Sequence, residues 1–189
     1  SDDYTYLFDR WGRKRAYHDP EVVHIWAFTE RPYFDAMLKQ LFDKRGWRYR
    51  FAGKIENGLI QEAKALCSGK ECIACLCSTG AMHRDILYHR STDELSIYYQ
   101  LNQQGPCQNG VWPDMWRLFG ERLGVENAIL DAFPAIENNY LGQGIGYGLE
   151  LFAAIAFADI FMTRRTSCAV SRETRKMRWS YSESRPIGS

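Results

Sequence analysis

Apolar residues along the chain fall into short blocks of two kinds. Continuous runs mark strands buried on both faces, and runs at three- and four-residue spacing mark helices. Val22 to Phe28 (Val-Val-His-Ile-Trp-Ala-Phe) is the first continuous run. Pro32 is placed to open a helix, Phe34, Met37, Leu38, Leu41 and Phe42 recur at helical spacing, and Gly46 stops it. Trp47 to Phe51 predicts a second strand, Leu59 to Leu66 a short helix, and Leu95 to Leu101 a third strand. Ser78 and Thr79 are good N-caps for a helix running to about His89. Val111, Met115, Leu118, Phe119 and Leu123 form one face of a helix entered near Gly110 and ended by Gly124, and Ala128 to Leu130 centres a fourth strand. From about Gly148 to Thr163 the chain is apolar nearly all round, which predicts a buried helix.

Strands alternating with helices at this spacing predict one three-layer α/β domain with a mainly parallel sheet covered on both sides. Its expected limits are residues 21–163. Residues 1–20 read as an N-terminal arm with a basic knot at Arg10, Arg13, Lys14 and Arg15. Residues 164–189 read as a basic, polar tail, frayed or extended, and there is no internal repeat or low-complexity segment.

Composition narrows the class. The chain has 189 residues, 46% of them hydrophobic and 14% aromatic, which fits a globular domain and argues against disorder. Twenty-four Lys and Arg balance 23 Asp and Glu, so a whole-surface field for nucleic acid is not expected. No uninterrupted apolar run reaches the roughly 18–20 residues that span a bilayer, because Glu150 and Asp159 divide the most apolar stretch, Leu149 to Met162. No membrane role is expected. The polar, acidic start argues against a secretory signal, so the expected compartment is the cytoplasm. A start without Met suggests one part of something larger.

The cysteines carry the chemistry. Cys67, Cys72, Cys75 and Cys77 crowd into eleven residues, and Cys107 follows thirty later. Without a signal peptide, thiolates gathered for a metal or for redox work outrank a disulfide framework. Both groups precede predicted helices. In an α/β sheet the loops at strand carboxyl ends form the binding crevice, and helix N-termini favour the thiolate. Gly69 and Gly105 would let backbone N–H groups approach bridging sulfides. The spacing does not match the paired knuckles of a zinc ribbon. Iron–sulfur clusters accept less symmetric ligand sets with one remote cysteine, so an iron–sulfur cluster ranks first, zinc second and unligated or redox thiols third.

Gly69-Lys-Glu-Cys72-Ile-Ala-Cys75, Thr79-Gly80 at a helix start, and Gly105-Pro-Cys107-Gln-Asn-Gly110 together resemble the 2-hydroxyacyl-CoA dehydratase superfamily, most closely its activase-associated iron–sulfur reductase proteins. The similarity covers about residues 22–162. It implies a flavodoxin-like domain, a cubane-type cluster (single or one of a linked pair), anaerobic low-potential electron transfer, an ATP-hydrolysing activase as partner, a second α/β domain or subunit, and acyl-CoA as a possible substrate. Cys72 and Cys107 match the motif cysteines, Cys75 matches a position that is often cysteine, and Cys67 is an added ligand candidate. Ala74 stands where the family commonly has Pro, and no phosphate-binding loop is present, so the ATPase and any nucleotide site are expected elsewhere. The competing class is a non-catalytic α/β scaffold or subunit-interface domain with zinc-bound or unligated cysteines.

Other polar residues have plainer readings. Cys77 is expected to pack beneath a helix start, Cys168 to be a free surface thiol, and His18, His24, His83 and His89 to be structural or solvated. Glu71 reads as a loop-capping carboxylate, and Glu150 and Asp159 as the polar edge of their helix. Gly142-Gln-Gly144-Ile-Gly146-Tyr-Gly148 lacks the G-x-G-x-x-G order of a dinucleotide loop and reads as a connector. Trp112, Trp116, Tyr98 and Tyr99 are expected in the core or at an interface, and the tail arginines in solvent.

Overall fold

The computed structural model describes residues 4–27, 32–56, 58–100 and 106–183, and of residues 167–183 it describes the backbone path alone. A four-stranded parallel sheet organises the domain. Strand β3 (Val22–Trp26) lies between β4 (Arg48–Phe51) and β5 (Leu95–Tyr99), and β6 (Ala128–Ala132) pairs on the far side of β5. His24 is in register with both Tyr49 and Ile97, and the β5–β6 ladder shifts between Ile97 and Tyr99. Every residue of β3 and β5 is buried, as a strand packed on both faces requires.

Alternate residues of the sheet feed two separate cores. Val22, Trp26 and Tyr99 pack against α1 (Pro32–Lys44) and the first turns of α5 (Gly144–Glu183), around Leu38, Phe42, Tyr147 and Leu151. Val23, Ile25 and Tyr98 face the other way, toward Met82 of α3 (Ile73–Arg84) and Trp116 and Phe119 of α4 (Trp112–Leu123), with α2 (Leu59–Leu66) against α3. The predicted three-layer α/β architecture is therefore present.

His24 sits in the first core as a neutral base. Its Nε2–H donates to the Tyr17 carbonyl (3.0 Å), while Nδ1 accepts from the Tyr99 hydroxyl (2.9 Å), which in turn accepts from Tyr147 (3.2 Å). Trp47 stacks on the imidazole with ring centres 4.3 Å apart. Burial pulls its pKa down to about 4, against a small opposing pull from the Tyr17 carbonyl. His24 is structural, as expected.

Five expectations are corrected. The arm is ordered: β1 (Leu7–Phe8) and β2 (Lys14–Arg15) form an antiparallel hairpin. Its organising group is Asp9, which accepts from the Trp11 and Arg13 amides and from the Arg13 and Arg15 guanidiniums, so half of the basic knot is spent on it. Burial works to raise the Asp9 pKa, and these donors hold it at about 2. Helix α3 starts five residues before Ser78, at Ile73, and ends in a π-helical turn, Asp85–His89. Cys72 takes the N-cap position, so Ser78 and Thr79 become buried interior residues.

The last helix runs from Gly144 to Glu183, through the segment expected to be frayed, because no Gly or Pro interrupts Leu149 to Glu183. Nor is it buried all round. Tyr147, Leu151 and Ala158 are buried, whereas Ile145, Leu149, Phe152, Phe157, Ile160 and Phe161 are exposed. Among the described residues, Gly144–Thr166 is the one stretch long and apolar enough to cross a membrane by length and composition, and 17% of its most apolar window is buried. The expectation of no such span counted uninterrupted apolar residues. A window that tolerates two isolated acids, Glu150 and Asp159, does not.

Candidate functional site

Parallel strands aim all their carboxyl ends at one edge, and the helices that follow begin there. Strands β3 and β5 are neighbours whose connections leave in opposite directions, one toward β4 and one toward β6. That reversal is where an open α/β sheet forms its crevice. The cysteine segments lie at this edge, where α3 and the turn leading into α4 start.

Cys67 caps the end of α2, its N–H donating to the Ala63 carbonyl at 3.2 Å. Residues 68–71 then make a tight loop in which Gly69 holds a left-handed conformation (φ +86°), at little steric cost to a residue without Cβ. The Glu71 carboxylate closes the loop, accepting from the Ser68 amide (2.9 Å), the Ser68 hydroxyl (2.8 Å) and the Gly69 amide (2.9 Å). These donors hold the Glu71 pKa at about 2. Glu71 is thus the loop-capping carboxylate its position suggested, and it occupies the Gly69 N–H that was a candidate donor to a sulfide.

Cys72 is exposed, Cys67 half-buried and Cys75 1% exposed. Cys75 lies in the first turn of α3, with its Sγ 3.9 Å from the Thr79 hydroxyl one turn further on. The Thr79 hydroxyl also acts on the Cys67 thiol, lowering its pKa slightly against burial, and its oxygen accepts from Trp116 Nε1 of α4 at 3.2 Å. One buried hydroxyl therefore ties two thiols to the neighbouring helix. Burial raises the Cys67 thiol to about 11, with help from the Glu71 carboxylate, and the Cys75 thiol to about 12, with smaller pushes from Cys67, Cys72 and Glu71. The expected lowering by a helix N-terminus is absent: Cys67 caps the carboxyl end of α2, where no such lowering acts, and at Cys75 burial is the largest influence and raises the thiol. Cys77 is buried, as expected, and its thiol is also raised.

Cys107 is exposed and N-caps the short turn Gln108–Val111 that leads into α4. Gly105 lies outside the described residues. Cys67 and Cys72 both lie close enough to Cys75 to push its thiol up. Among the described residues, no three His, Cys, Asp or Glu side chains converge as a metal-binding group. A cleft between the arm and β6, lined by Tyr4, Tyr17, Asp131, Phe133 and Glu137, contains no cysteine.

The same edge carries polar groups that sequence reasoning missed. Gln100, directly after β5, is 1% exposed, and neither its amide nitrogen nor its oxygen has a partner among the described residues. Asn109 Oδ1, two residues past Cys107, is buried and likewise unpaired among them. A buried primary amide without partners is costly and marks a place where a ligand's polar atoms could be received. The available signal was the abrupt change from Leu95-Ser-Ile-Tyr-Tyr to Gln100 at a strand's carboxyl end.

The chain matches no family model, no curated protein and no solved structure in comparisons with known proteins.

Proposed function

We propose that this chain is the iron–sulfur electron-transfer domain of a low-potential reductase system of the 2-hydroxyacyl-CoA dehydratase type, on a flavodoxin-like frame. The observation that carries the reading is the gathering of Cys67, Cys72 and Cys75 where α2 ends and α3 begins, with Thr79 linking that corner to the helix that Cys107 precedes. The frame supports it: counting main-sheet strands in chain order, their arrangement is 2-1-3-4, as in the first four strands of a flavodoxin-like sheet. Helices α1 and α5 share one face and α2, α3 and α4 the other.

The donor set fits a soft metal in chemistry, since its nearest members are all thiols. It is not a closed four-thiol cage, because Cys107 stands apart and exposed. A bound cluster would supply one-electron chemistry at low potential. The chain's own residues would do the rest. Cys67, Cys72, Cys75 and Cys107 would be the ligands. Cys67 and Cys75 must each lose a proton, so loading is favoured as pH rises. The Thr79 hydroxyl, oriented by Trp116, can donate to a ligand sulfur and so raise the potential. In this reading the electron donor is an ATP-hydrolysing activase, and the acceptor is an acyl-CoA thioester or a second redox centre on a further α/β domain or subunit. The compartment is the cytoplasm, where thiols stay reduced.

A second reading, a scaffold or interface domain with zinc-bound or unligated cysteines, is favoured by the protonated state of Cys67 and Cys75. Iron, acid-labile sulfide and zinc analysis of anaerobically purified protein separates the two. Near-stoichiometric iron and sulfide, with a brown chromophore bleached on reduction and lost in Cys72→Ala and Cys107→Ala, is the expected result. Zinc or no metal, with folding unchanged by those substitutions, would establish the scaffold reading instead.

A further inference from the structure

Helix α5 is apolar on two opposite sides, and only one side is used. Tyr147, Leu151 and Ala158 face the core beside α1. Ile145, Leu149, Phe152 and Ile160 fall at helical spacing on the opposite side and are exposed, with exposed Phe157 at the margin, whereas Phe161 lies toward α1 with its ring against Tyr33. The two acids of this stretch do not break the stripe. Glu150 is turned to Lys44 and Arg45 at 2.7 and 2.5 Å, in ion pairs beside α1, and Asp159 falls on the other margin of the stripe. At roughly 100 Å² of exposed surface apiece, the five side chains make a patch of about 500 Å². That is toward the upper end of the roughly 300–600 Å² of a monomer's largest patch, and it supplies the apolar centre of the roughly 800 Å² that each partner contributes to a stable interface.

We propose that this stripe is the interface of a homodimer in which α5 pairs antiparallel with α5 of a second copy. An isologous contact must be self-complementary, and the charges flanking the stripe meet that requirement. Exposed Asp131 and Glu137 precede the helix, and exposed Arg164 and Arg165 follow the stripe. Crossing between Phe152 and Ala153 sets Ile145 against Ile160 and Leu149 against Ala156 of the second copy. The same register carries Arg164 and Arg165 to the level of positions 141 and 140 of the other chain, toward the turn that holds its Glu137. A parallel pairing would set the two basic ends against each other, at a cost in repulsion. A bilayer would cover the apolar stripe but offers no counterpart to the acidic end.

Sedimentation equilibrium of the 189-residue chain tests this. The expected result is a concentration-dependent dimer. Phe152→Glu should weaken it at least about tenfold, with unchanged circular dichroism and melting, and Leu149→Lys should repeat the effect. Glu137→Arg alone and Arg165→Glu alone should each weaken the dimer severalfold, and the double variant should restore it to within about twofold. A monomer at every concentration overturns the proposal, as does a dimer that Phe152→Glu leaves intact. Failure of the double variant to recover overturns the antiparallel register. Binding of a monomeric wild-type chain to phosphatidylserine vesicles, abolished by Phe152→Glu, assigns the stripe to lipid instead.

Discussion

Single buried groups decide which protonation states this fold tolerates, and His24 is the clearest case. Its ring is closed in by Trp47, Phe42 and Tyr99 and has its one N–H committed to Tyr17, so the cationic form has no solvent and no carboxylate to meet. Its folded pKa, about 4, lies below the ordinary 6.5, so the unfolded chain binds the extra proton across that window. Stability therefore falls as pH drops from about 6.5 toward 4, by up to about 3 kcal/mol in all. His83, also lowered by burial, pulls in the same direction, and Asp9 and Glu71, held at about 2 in the fold against ordinary values of 3.8 and 4.5, add to the loss chiefly below about pH 5. Urea unfolding at pH 7.5 and at pH 5 measures the slope. His24→Gln should be less stable at pH 7.5 and should lose most of the pH dependence, and a variant that keeps the full slope would refute the assignment to His24.

Between elements, the tightest constraint is where α2 meets α3. A Cβ on Gly80 would lie 2.8 Å from the Leu59 carbonyl oxygen and 2.9 Å from Leu59 Cγ. Gly80 is thus what lets the helix carrying Cys75 lie against the helix that ends at Cys67. Gly80→Ala gains about 1 kcal/mol of helix propensity but forces the two helices apart, which costs about 1–3 kcal/mol. The expected outcome is a lower melting temperature together with weaker metal loading. Gly120→Ala, whose Cβ meets the flexible end of Leu130, is the control and should melt closer to wild type and load normally. Most elements near this corner were legible because local pattern fixed them: Val22–Trp26, Pro32–Lys44 and Leu59–Leu66 fall where apolar runs, Pro32 and Gly58 put them. The start of α3 was not, because Ser78 and Thr79 look like caps while Cys72 does not. Tertiary burial of Thr79 under Trp116 outweighed that preference. Gln100 was invisible for a similar reason, since its isolation depends on what surrounds it in space. The two-sided exposure of α5 likewise depends on how few neighbours the fold supplies.

At the scale of the whole molecule, the two surfaces with assigned roles lie on opposite layers of the sheet. Cys67, Cys72 and Cys75 belong to the α2–α3 layer, where Cys67 packs against the core of Val23, Ile25 and Trp116, whereas the α5 stripe lies outside the layer built on Trp26, Phe42 and Tyr99. A close-packed sheet separates them, and none of the side chains named for one site touches the other. Sites without shared partners contribute additively, so metal loading and dimerisation should be separable by mutation. Phe152→Glu should give a monomer with the iron and sulfide content of the wild type. Cys72→Ala should give a chain without a chromophore that still dimerises with unchanged affinity. Measuring sedimentation and metal content on both variants and on their combination fills the four cells of this cycle. Loss of iron in Phe152→Glu would mean that the second copy helps to complete the thiol site, and Cys107, the exposed thiol beyond the α3 corner, would then be the first ligand to test across the dimer. Loss of dimer in Cys72→Ala would mean that metal binding reorganises the α1–α5 layer through the sheet. Independence in both directions would make the domain a pairing module that presents two separate redox sites, one at the carboxyl edge of each sheet.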